Sequence, residues 1–417
     1  MDHFNIKDGV MHAEDVALPA IAAKVGTPVY VYSTATMERH VRVFREALAG
    51  VGDPLIAFAV KANPNRGVLA TLARLGLGAD VVSGGELMRA RAAGVPGDRI
   101  VFSGVGKTEE EMALGLREGI FQFNLESEPE AEMLSAVATR LGIEAPVAFR
   151  INPNVDAGTH AKISTGKSED KFGVAYDRAL AAYALVRGLP GLKIRGVAVH
   201  IGSQLTDLAP SRAAFERIGA LIGELRSAGH DIVTADLGGG LGVPYDPALP
   251  VPPSPAAYGA MVREVTSGWN VRLVFEPGRV IVGNAGVLLT RVIRVKPGAS
   301  DPFVIVDAAM NDLLRPSLYD AWHDVRAVAP SGEGFTANIV GPICETGDFL
   351  AKDRELALAE GDLLAVHSAG AYGFVMSSNY NTRGRAAEVL VDGDQVFEVR
   401  RRETVAELFA GESLLPE

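Results

Sequence analysis

The sequence predicts an α/β plus β protein: a (β/α)8, TIM-like barrel joined to a second β-sheet or β-barrel domain. Two observations carry that prediction. Between Leu55 and Phe275, short apolar, β-rich runs alternate with segments of helical periodicity, and no hairpin signal separates them, which requires a parallel sheet. After Arg279 the helical periodicity stops, and β-rich runs follow closely with turn signals such as Asp392-Gly393-Asp394 between them.

Taken in order, the chain opens with a short helical pattern around Ala17 to Val25. An alternating strand pattern, Pro28 to Tyr32, and a second helical pattern, Thr36 to Leu48, follow. Candidate barrel strands are Leu55 to Val60, Ala79 to Val82, Arg99 to Phe102, Phe121 to Leu125, Val147 to Ile151, Ile194 to Ile201, Val233 to Leu237 and Leu273 to Phe275. Helical spacing fills the intervals at Val68 to Leu75, Glu86 to Ala93, Glu109 to Arg117, Pro129 to Leu141, Asp177 to Val186, Ala213 to Ala228 and Ala256 to Trp269. Eight such units are the number that closes a barrel. Later runs at Val287 to Val295, Phe303 to Val306, Leu363 to Val366, Ala387 to Val391 and Val396 to Arg400 form the β domain. The strand at Pro28 to Tyr32 is expected to join that later sheet, so the predicted domains are 34–279 for the barrel and 1–33 plus 280–417 for the β domain. Pro247, Pro250, Pro252, Pro253 and Pro255 read as a rigid surface loop, because the barrel is still one strand short there.

Composition narrows the class. Hydrophobic residues make up 48% and charged ones 22% of the 417 residues, enough for a full core. A formal net charge of -11 argues against a nucleic-acid partner, which would need a basic face. The N-terminus, Met1-Asp2-His3-Phe4, carries no apolar leader, and no run reaches the roughly 18 apolar residues of a membrane span. A cytoplasmic protein without a membrane partner is the expectation. Cys344 is the lone cysteine, so no intrachain disulfide can form, and the eight histidines show no ligand spacing, so no metal is expected.

Chemistry is expected at the carboxyl ends of the barrel strands. Those ends carry Lys61, Ser83, Asn124 with Glu126, Arg150 with Asn152, His200 with Ser203, Gly238 to Gly240, and Glu276 with Arg279. Lys61 closes an unbroken apolar run, Leu55 to Val60. A lysine there either snorkels into solvent or faces a cavity as a desolvated amine, whose common use is a Schiff base with a carbonyl. Two glycine motifs are incomplete. Gly104-Val105-Gly106-Lys107-Thr108 lacks the first glycine of a phosphate loop, Val101 standing in its place, and Gly238-Gly239-Gly240-Leu241-Gly242 lacks the last glycine of a dinucleotide fingerprint, where Val243 stands. The second still follows a strand, and its bare amides are either a tight structural turn or an anion nest. A lysine for an aldehyde, a nest for a phosphate and the Glu276 carboxylate for a ring nitrogen match the needs of pyridoxal 5'-phosphate.

Phe58-Ala59-Val60-Lys61-Ala62-Asn63, Asp80-Val81-Val82-Ser83-Gly84-Gly85-Glu86-Leu87, His200-Ile201-Gly202-Ser203-Gln204, Gly238 to Gly242 and Glu276-Pro277-Gly278-Arg279 together resemble the group-IV, alanine-racemase-fold pyridoxal phosphate decarboxylases. Within that group, Leu314-Arg315-Pro316-Ser317-Leu318-Tyr319, Cys344-Glu345-Thr346-Gly347-Asp348 and Ala371-Tyr372-Gly373 resemble the diaminopimelate decarboxylase family. The resemblance covers almost the whole chain. Departures are small: Phe58 stands where tyrosine is frequent, and Thr346 where serine is.

The resemblance implies decarboxylation of meso-2,6-diaminopimelate at its D centre to L-lysine and carbon dioxide, the last step of lysine biosynthesis. It implies that Lys61 carries the cofactor and that His200 lies against its ring. Glu276 would pair with the ring nitrogen. Ser203, Gly239, Gly240, the run Glu276, Pro277, Gly278 and Arg279, and Tyr372 would hold the cofactor and its phosphate. Arg279, Arg315, Tyr319 and Tyr372 would bind substrate, Glu345 would take the distal ammonium, and Cys344 would return a proton to Cα from a neighbouring subunit in a homodimer with shared active sites. Arginine is the natural reader of a carboxylate. A lone cysteine is otherwise a small buried hydrophobe, although Gly341-Pro342 and Glu345 to Asp348 around it suggest a polar loop. The alternatives are a pyridoxal-dependent decarboxylase of ornithine, arginine, lysine or carboxynorspermidine, an inactive relative, or a racemase. Glu345 directly after the cysteine favours diaminopimelate over simple diamino acids, retention of Lys61 and Cys344 argues against inactivity, and Glu276 argues against a racemase.

Overall fold

A computed structural model describes residues 2–156 and 171–416. The chain divides into two compact units, one formed by Met1–Arg39, Tyr245–Leu249 and Ile281–Glu417, the other by His40–Pro244 and Pro250–Val280.

The second unit is a closed parallel barrel. Its strands are β1 (Leu55–Ala59), β2 (Gly78–Val81), β3 (Ile100–Phe102), β4 (Gln122–Leu125), β5 (Ala145–Asn152), β6 (Leu192–Ala198), β7 (Thr234–Asp236) and β8 (Arg272–Phe275). Each pairs with the next, and β8 closes on β1 through Val274 opposite Leu55 and Phe275 opposite Ile56. All eight predicted strands are present, with ends moved by a few residues. A further strand, Val174–Ala175, lies beside the end of β5. Local chemistry fixes the helix starts. Ser83 Oγ accepts the Glu86 N–H, Thr108 and Glu111 form a reciprocal capping box, and Ser127 and Ser254 cap helices with a proline in the first turn.

Side-chain alternation decides what the barrel interior holds. Leu55, Ala57, Val101, Phe121 and Val274 make an apolar cluster, each buried aliphatic side chain contributing roughly 1.5–3 kcal/mol. Towards the carboxyl ends the interior turns polar: Ser103 lies two residues beyond Val101 and Glu276 two beyond Val274, and Gln122 and Asn124 from β4 and Thr234 and Asp236 from β7 are buried with them. Strands β4 and β7 and the segments just past β3 and β8 therefore deliver buried polar groups at this end of the barrel.

The other unit is a mixed sheet. Val29–Ser33 pairs antiparallel with Gly286–Lys296 and parallel with Ala387–Asp392, so the strand that precedes the barrel in sequence does join the later sheet. Gly286–Lys296 also pairs with Phe303–Val306 and Leu363–Val366. Val29, Val31, Val287, Leu289, Val389 and Val391 share one core with Leu18 and Ile21 of the first helix. Three strands were not legible in sequence: Val325–Ala327, Phe335–Val340 and Phe349–Leu356. The last, FLAKDREL, is rich in charge and becomes a strand through its ladder to Phe335–Val340. The N-terminal hairpin of Phe4–Lys7 and Val10–Ala13 was likewise unanticipated.

Candidate active site

A cavity of about 380 Å³ opens at the carboxyl ends of the barrel strands, with Lys61, His200 and Glu276 in its wall. Strand β1 ends at Ala59, and a single 3-10 turn, Val60–Ala62, then carries Lys61. Its Nζ donates to Asp80 Oδ2 at 2.8 Å, while the Asp80 side chain is fully buried at the end of β2. Asp80 Oδ1 finds no hydrogen-bond partner among the described residues. An amine held this way is oriented and kept at the cavity wall.

A chain of hydrogen bonds crosses the barrel interior. Thr234 Oγ1 donates to Gln122 Oε1, Gln122 Nε2 to Asn124 Oδ1, and Asn124 Nδ2 to both Asp236 Oδ2 at 2.8 Å and Ser103 Oγ at 3.2 Å. Ser103 Oγ in turn donates to Glu276 Oε1 at 3.3 Å. Glu276 and Asp236 are hydrogen-bonded to each other. Burial pushes the Asp236 carboxyl up to about 6, and burial with Asp236 and Asp80 nearby drives Glu276 well above the usual carboxylate range. Two buried acids this close hold a proton between them. A cationic ring nitrogen placed at Glu276 would supply the missing positive charge.

His200 lines the cavity. The Gly239 N–H donates to its Nδ1 at 3.2 Å, and a backbone amide can only donate, so Nδ1 accepts and the ring carries its hydrogen on Nε2. Packing around the ring, with Arg150 and Lys61 nearby, holds its pKa well below the ordinary value, so a neutral, flat imidazole faces the cavity. Arg150 is fixed by Glu126 Oε1 at 3.1 Å and by the His200 carbonyl at 3.2 Å.

The loops after β6, β7 and β8 supply backbone. A Cβ added at Gly239 would lie 2.1 Å from the Glu276 carbonyl oxygen, and Gly240 has φ +109° with the Gly202 carbonyl 2.4 Å from its would-be Cβ. Only glycine lets these chain segments approach so closely. Arg279 Nη2 donates to Ser203 Oγ at 3.1 Å, bringing a guanidinium and a hydroxyl together beside that backbone. Pro277 and Gly278, between Glu276 and Arg279 in sequence, are buried. An amine for an aldehyde, a buried carboxyl pair for a ring nitrogen, and a glycine-cradled cationic loop for a phosphate fit pyridoxal 5'-phosphate.

Other residues placed at the mouth by sequence have structural duties. Ser83 caps a helix, and Asn152 Oδ1 accepts the Asn154 N–H. The phosphate-loop look-alike is an anchor: Lys107 Nζ is wholly buried, donating to the Gly104 and Asn124 carbonyls at 2.7 Å each and to Glu130 Oε1 at 2.6 Å. Sequence reasoning missed Asp80 and Asp236 as site residues. Their signal is an aspartate at the inward position of an otherwise apolar strand end, in Gly78-Ala79-Asp80-Val81 and Thr234-Ala235-Asp236-Leu237.

The remaining predicted residues belong to the β-sheet unit. Arg315 begins a short helix that ends at Tyr319. It is buried, its Nη1 lies 2.7 Å from His323 Nε2, and its guanidinium sits 4.3 Å over the Tyr245 ring. Cys344 is exposed, and Glu345 accepts a hydrogen bond from the Tyr380 hydroxyl. Tyr372 has φ +55°, a left-handed backbone uncommon for an aromatic residue. Among the described residues, no group of three His, Cys, Asp or Glu side chains could hold a metal, and no helix is long and apolar enough to cross a membrane.

Barrel and cavity define a pyridoxal-dependent enzyme, and the family model for the pyridoxal binding domain of pyridoxal-dependent decarboxylases matches residues 34–283. A diaminopimelate decarboxylase from Pseudomonas fluorescens is 60% identical over 419 residues, covering 100% of both chains. One from Zymomonas mobilis is 56% identical over 412 residues, covering 98% of each. Among solved structures, diaminopimelate decarboxylase from M. jannaschii in complex with L-lysine aligns with a TM-score of 0.95 at 38% identity, over 100% of this chain and 99% of that one. The Helicobacter pylori enzyme with L-lysine aligns at 0.91 and 39%, over 95% and 99%. This chain belongs to the diaminopimelate decarboxylase family of pyridoxal-dependent decarboxylases.

Proposed function

We propose that this protein decarboxylates meso-2,6-diaminopimelate at its D centre, releasing carbon dioxide and L-lysine, and that its residues divide the work as follows. The observation that carries the reading is one cavity walled by both an amine, Lys61, and a deeply buried carboxyl, Glu276. Lys61 would hold pyridoxal phosphate, and the bound cofactor would supply the electron sink for the pair left on Cα as carbon dioxide departs. Asp80 holds Lys61 in place. Glu276 would hold a proton on the cofactor's ring nitrogen, a charge partnership that its burial beside Asp236 makes favourable.

The neutral imidazole of His200 would lie against the cofactor ring without adding a competing positive charge. Ser203, Gly239, Gly240, Arg279, the backbone from Glu276 to Gly278 and Tyr372 would hold the phosphate. Arg279, Arg315 and Tyr319 bind substrate carboxylate, and Glu345 binds the distal ammonium. The Cys344 thiol returns the proton to Cα, and its exposure suits a role in the active site of a neighbouring subunit, so the working form is a homodimer. The setting is the cytoplasm, where lysine biosynthesis would supply the substrate.

The test is an absorbance spectrum of the purified protein with its cofactor, followed by carbon dioxide release on addition of meso-diaminopimelate, ornithine or arginine. A visible cofactor band that is lost in Lys61→Ala, with carbon dioxide released from diaminopimelate alone, is expected. Release from ornithine or arginine instead would overturn the substrate, and the absence of a band after reconstitution would overturn the mechanism.

A further inference from the structure

Arg315 is held by an unusual partner. A guanidinium has five N–H donors and no acceptor, so the 2.7 Å contact between Arg315 Nη1 and His323 Nε2 requires that Nε2 accept. The other ring nitrogen, Nδ1, lies 2.8 Å from the His367 carbonyl oxygen, which can only accept, so Nδ1 carries the hydrogen. Both contacts are satisfied by one state: a neutral imidazole protonated on Nδ1. His323 is completely buried. Its ring meets the Tyr245 ring edge-on, at 5.4 Å between centroids and 75°, while the face of Tyr245 lies under the Arg315 guanidinium at 4.3 Å. The imidazole therefore fixes one corner of the guanidinium fork, and the phenol ring fixes its plane. Tyr245 stands two residues before Pro247, where the proline-rich rigid loop read from the sequence begins.

The choice of an imidazole has a chemical consequence. A carboxylate at the same place would orient Arg315 and also neutralise it. A neutral acceptor orients the guanidinium without itself neutralising it. We propose that His323, with Tyr245, is a positioning residue for substrate choice, presetting the Arg315 guanidinium for the distal carboxylate that distinguishes diaminopimelate from simple diamino acids; this rests on the role given to Arg315 above.

The experiment uses the cofactor-loaded enzyme and steady-state kinetics with meso-diaminopimelate. A glutamine side chain can place its oxygen near the position of Nε2, whereas an asparagine is too short to reach Arg315 and keeps only the contact towards the His367 carbonyl. His323→Asn is expected to raise KM about tenfold, the worth of a hydrogen bond to a charged group, with kcat and the cofactor absorbance band little changed. His323→Gln is expected to stay near the parent KM. Adding His323→Asn to Arg315→Ala is expected to change KM no further, because its target is gone. Equal effects of Asn and Gln, a loss confined to kcat, or a full effect in the Arg315→Ala background would overturn the proposal. Tyr245→Leu is the second variant if His323→Asn does not fold: it should raise KM for diaminopimelate, and an unchanged KM would count against the clamp. If Arg315→Ala itself leaves KM unchanged, the role of Arg315 fails, an outcome distinct from an intact Arg315 effect without a His323 effect.

Discussion

Lys107→Met probes how the wall of the cavity is held. The Lys107 side chain is wholly buried, and Glu130 is only 9% exposed. Three donors of one ammonium serve the Gly104 carbonyl, the Asn124 carbonyl and Glu130 Oε1, and Glu130 Oε2 accepts the Glu126 N–H at 2.7 Å. Methionine fills similar space but leaves two carbonyls and a carboxylate without their donor. Breaking a buried pair in this way costs about 3–5 kcal/mol. Part of that cost is recoverable. Burial already raises the Glu130 pKa, and Lys107 opposes the rise, so without Lys107 the carboxyl takes up a proton over a wider pH range. An acid whose folded pKa lies above its unfolded value destabilises the fold as pH rises past the unfolded value, and the penalty disappears below it. The loss in Lys107→Met should therefore be larger at pH 8 than at pH 5, read as urea midpoints of the apoprotein followed by a barrel-local probe, since two units need not unfold together. Gly104 and Gly106 line the cavity, so cofactor affinity should weaken in parallel. Lys107→Met with Glu130→Met should recover most of the stability. An unchanged midpoint, or a loss identical at both pH values, would refute the reasoning.

Asp80→Asn removes the charge that holds Lys61 Nζ at 2.8 Å, and capture of pyridoxal phosphate by the apoprotein should slow by about 10–100-fold, the worth of a charge-assisted hydrogen bond, measured from growth of the visible band. Glu276→Gln cannot become an anion; kcat should fall by about a hundredfold or more with little change in KM, as for loss of an electrostatic partner of the reacting system. The Asp236 carboxyl, pushed up to about 6 in the folded chain from an ordinary 3.8, should make the apoprotein lose stability as pH rises from about 4 to 6 and level off above that, so cofactor should raise the thermal midpoint more at pH 8 than at pH 5. Gly239→Ala drives a Cβ to 2.1 Å from the Glu276 carbonyl oxygen; phosphate binding should weaken enough for gel filtration to strip the cofactor, and full retention would argue against the glycine cradle.

The sequence by itself determined the barrel, because each β/α unit is a local statement: an apolar run, a cap and an amphipathic helix can all be read within a few dozen residues. It also determined that Lys61, the Gly238 to Gly240 turn and Glu276 lie at strand ends, since alternation within a strand is local too. The strand Val29–Ser33 could be assigned to the later sheet because the barrel was already complete without it. What lay beyond local reach was partnership. Asp80 against Lys61, Asp236 against Glu276, and Lys107 against Glu130 join residues from different strands and loops, and no periodicity marks which charge meets which. The strand Phe349–Leu356 is likewise made by its neighbour, since its own composition gives no strand signal. His323 shows the division best: in sequence it is a histidine in a polar loop, and only the packed structure, by setting an arginine on one ring nitrogen and a carbonyl on the other, dictates its tautomer and hence its duty. Tertiary structure decided these features because hydrogen bonds and charge pairs act over a few ångströms of space, whatever the distance along the chain.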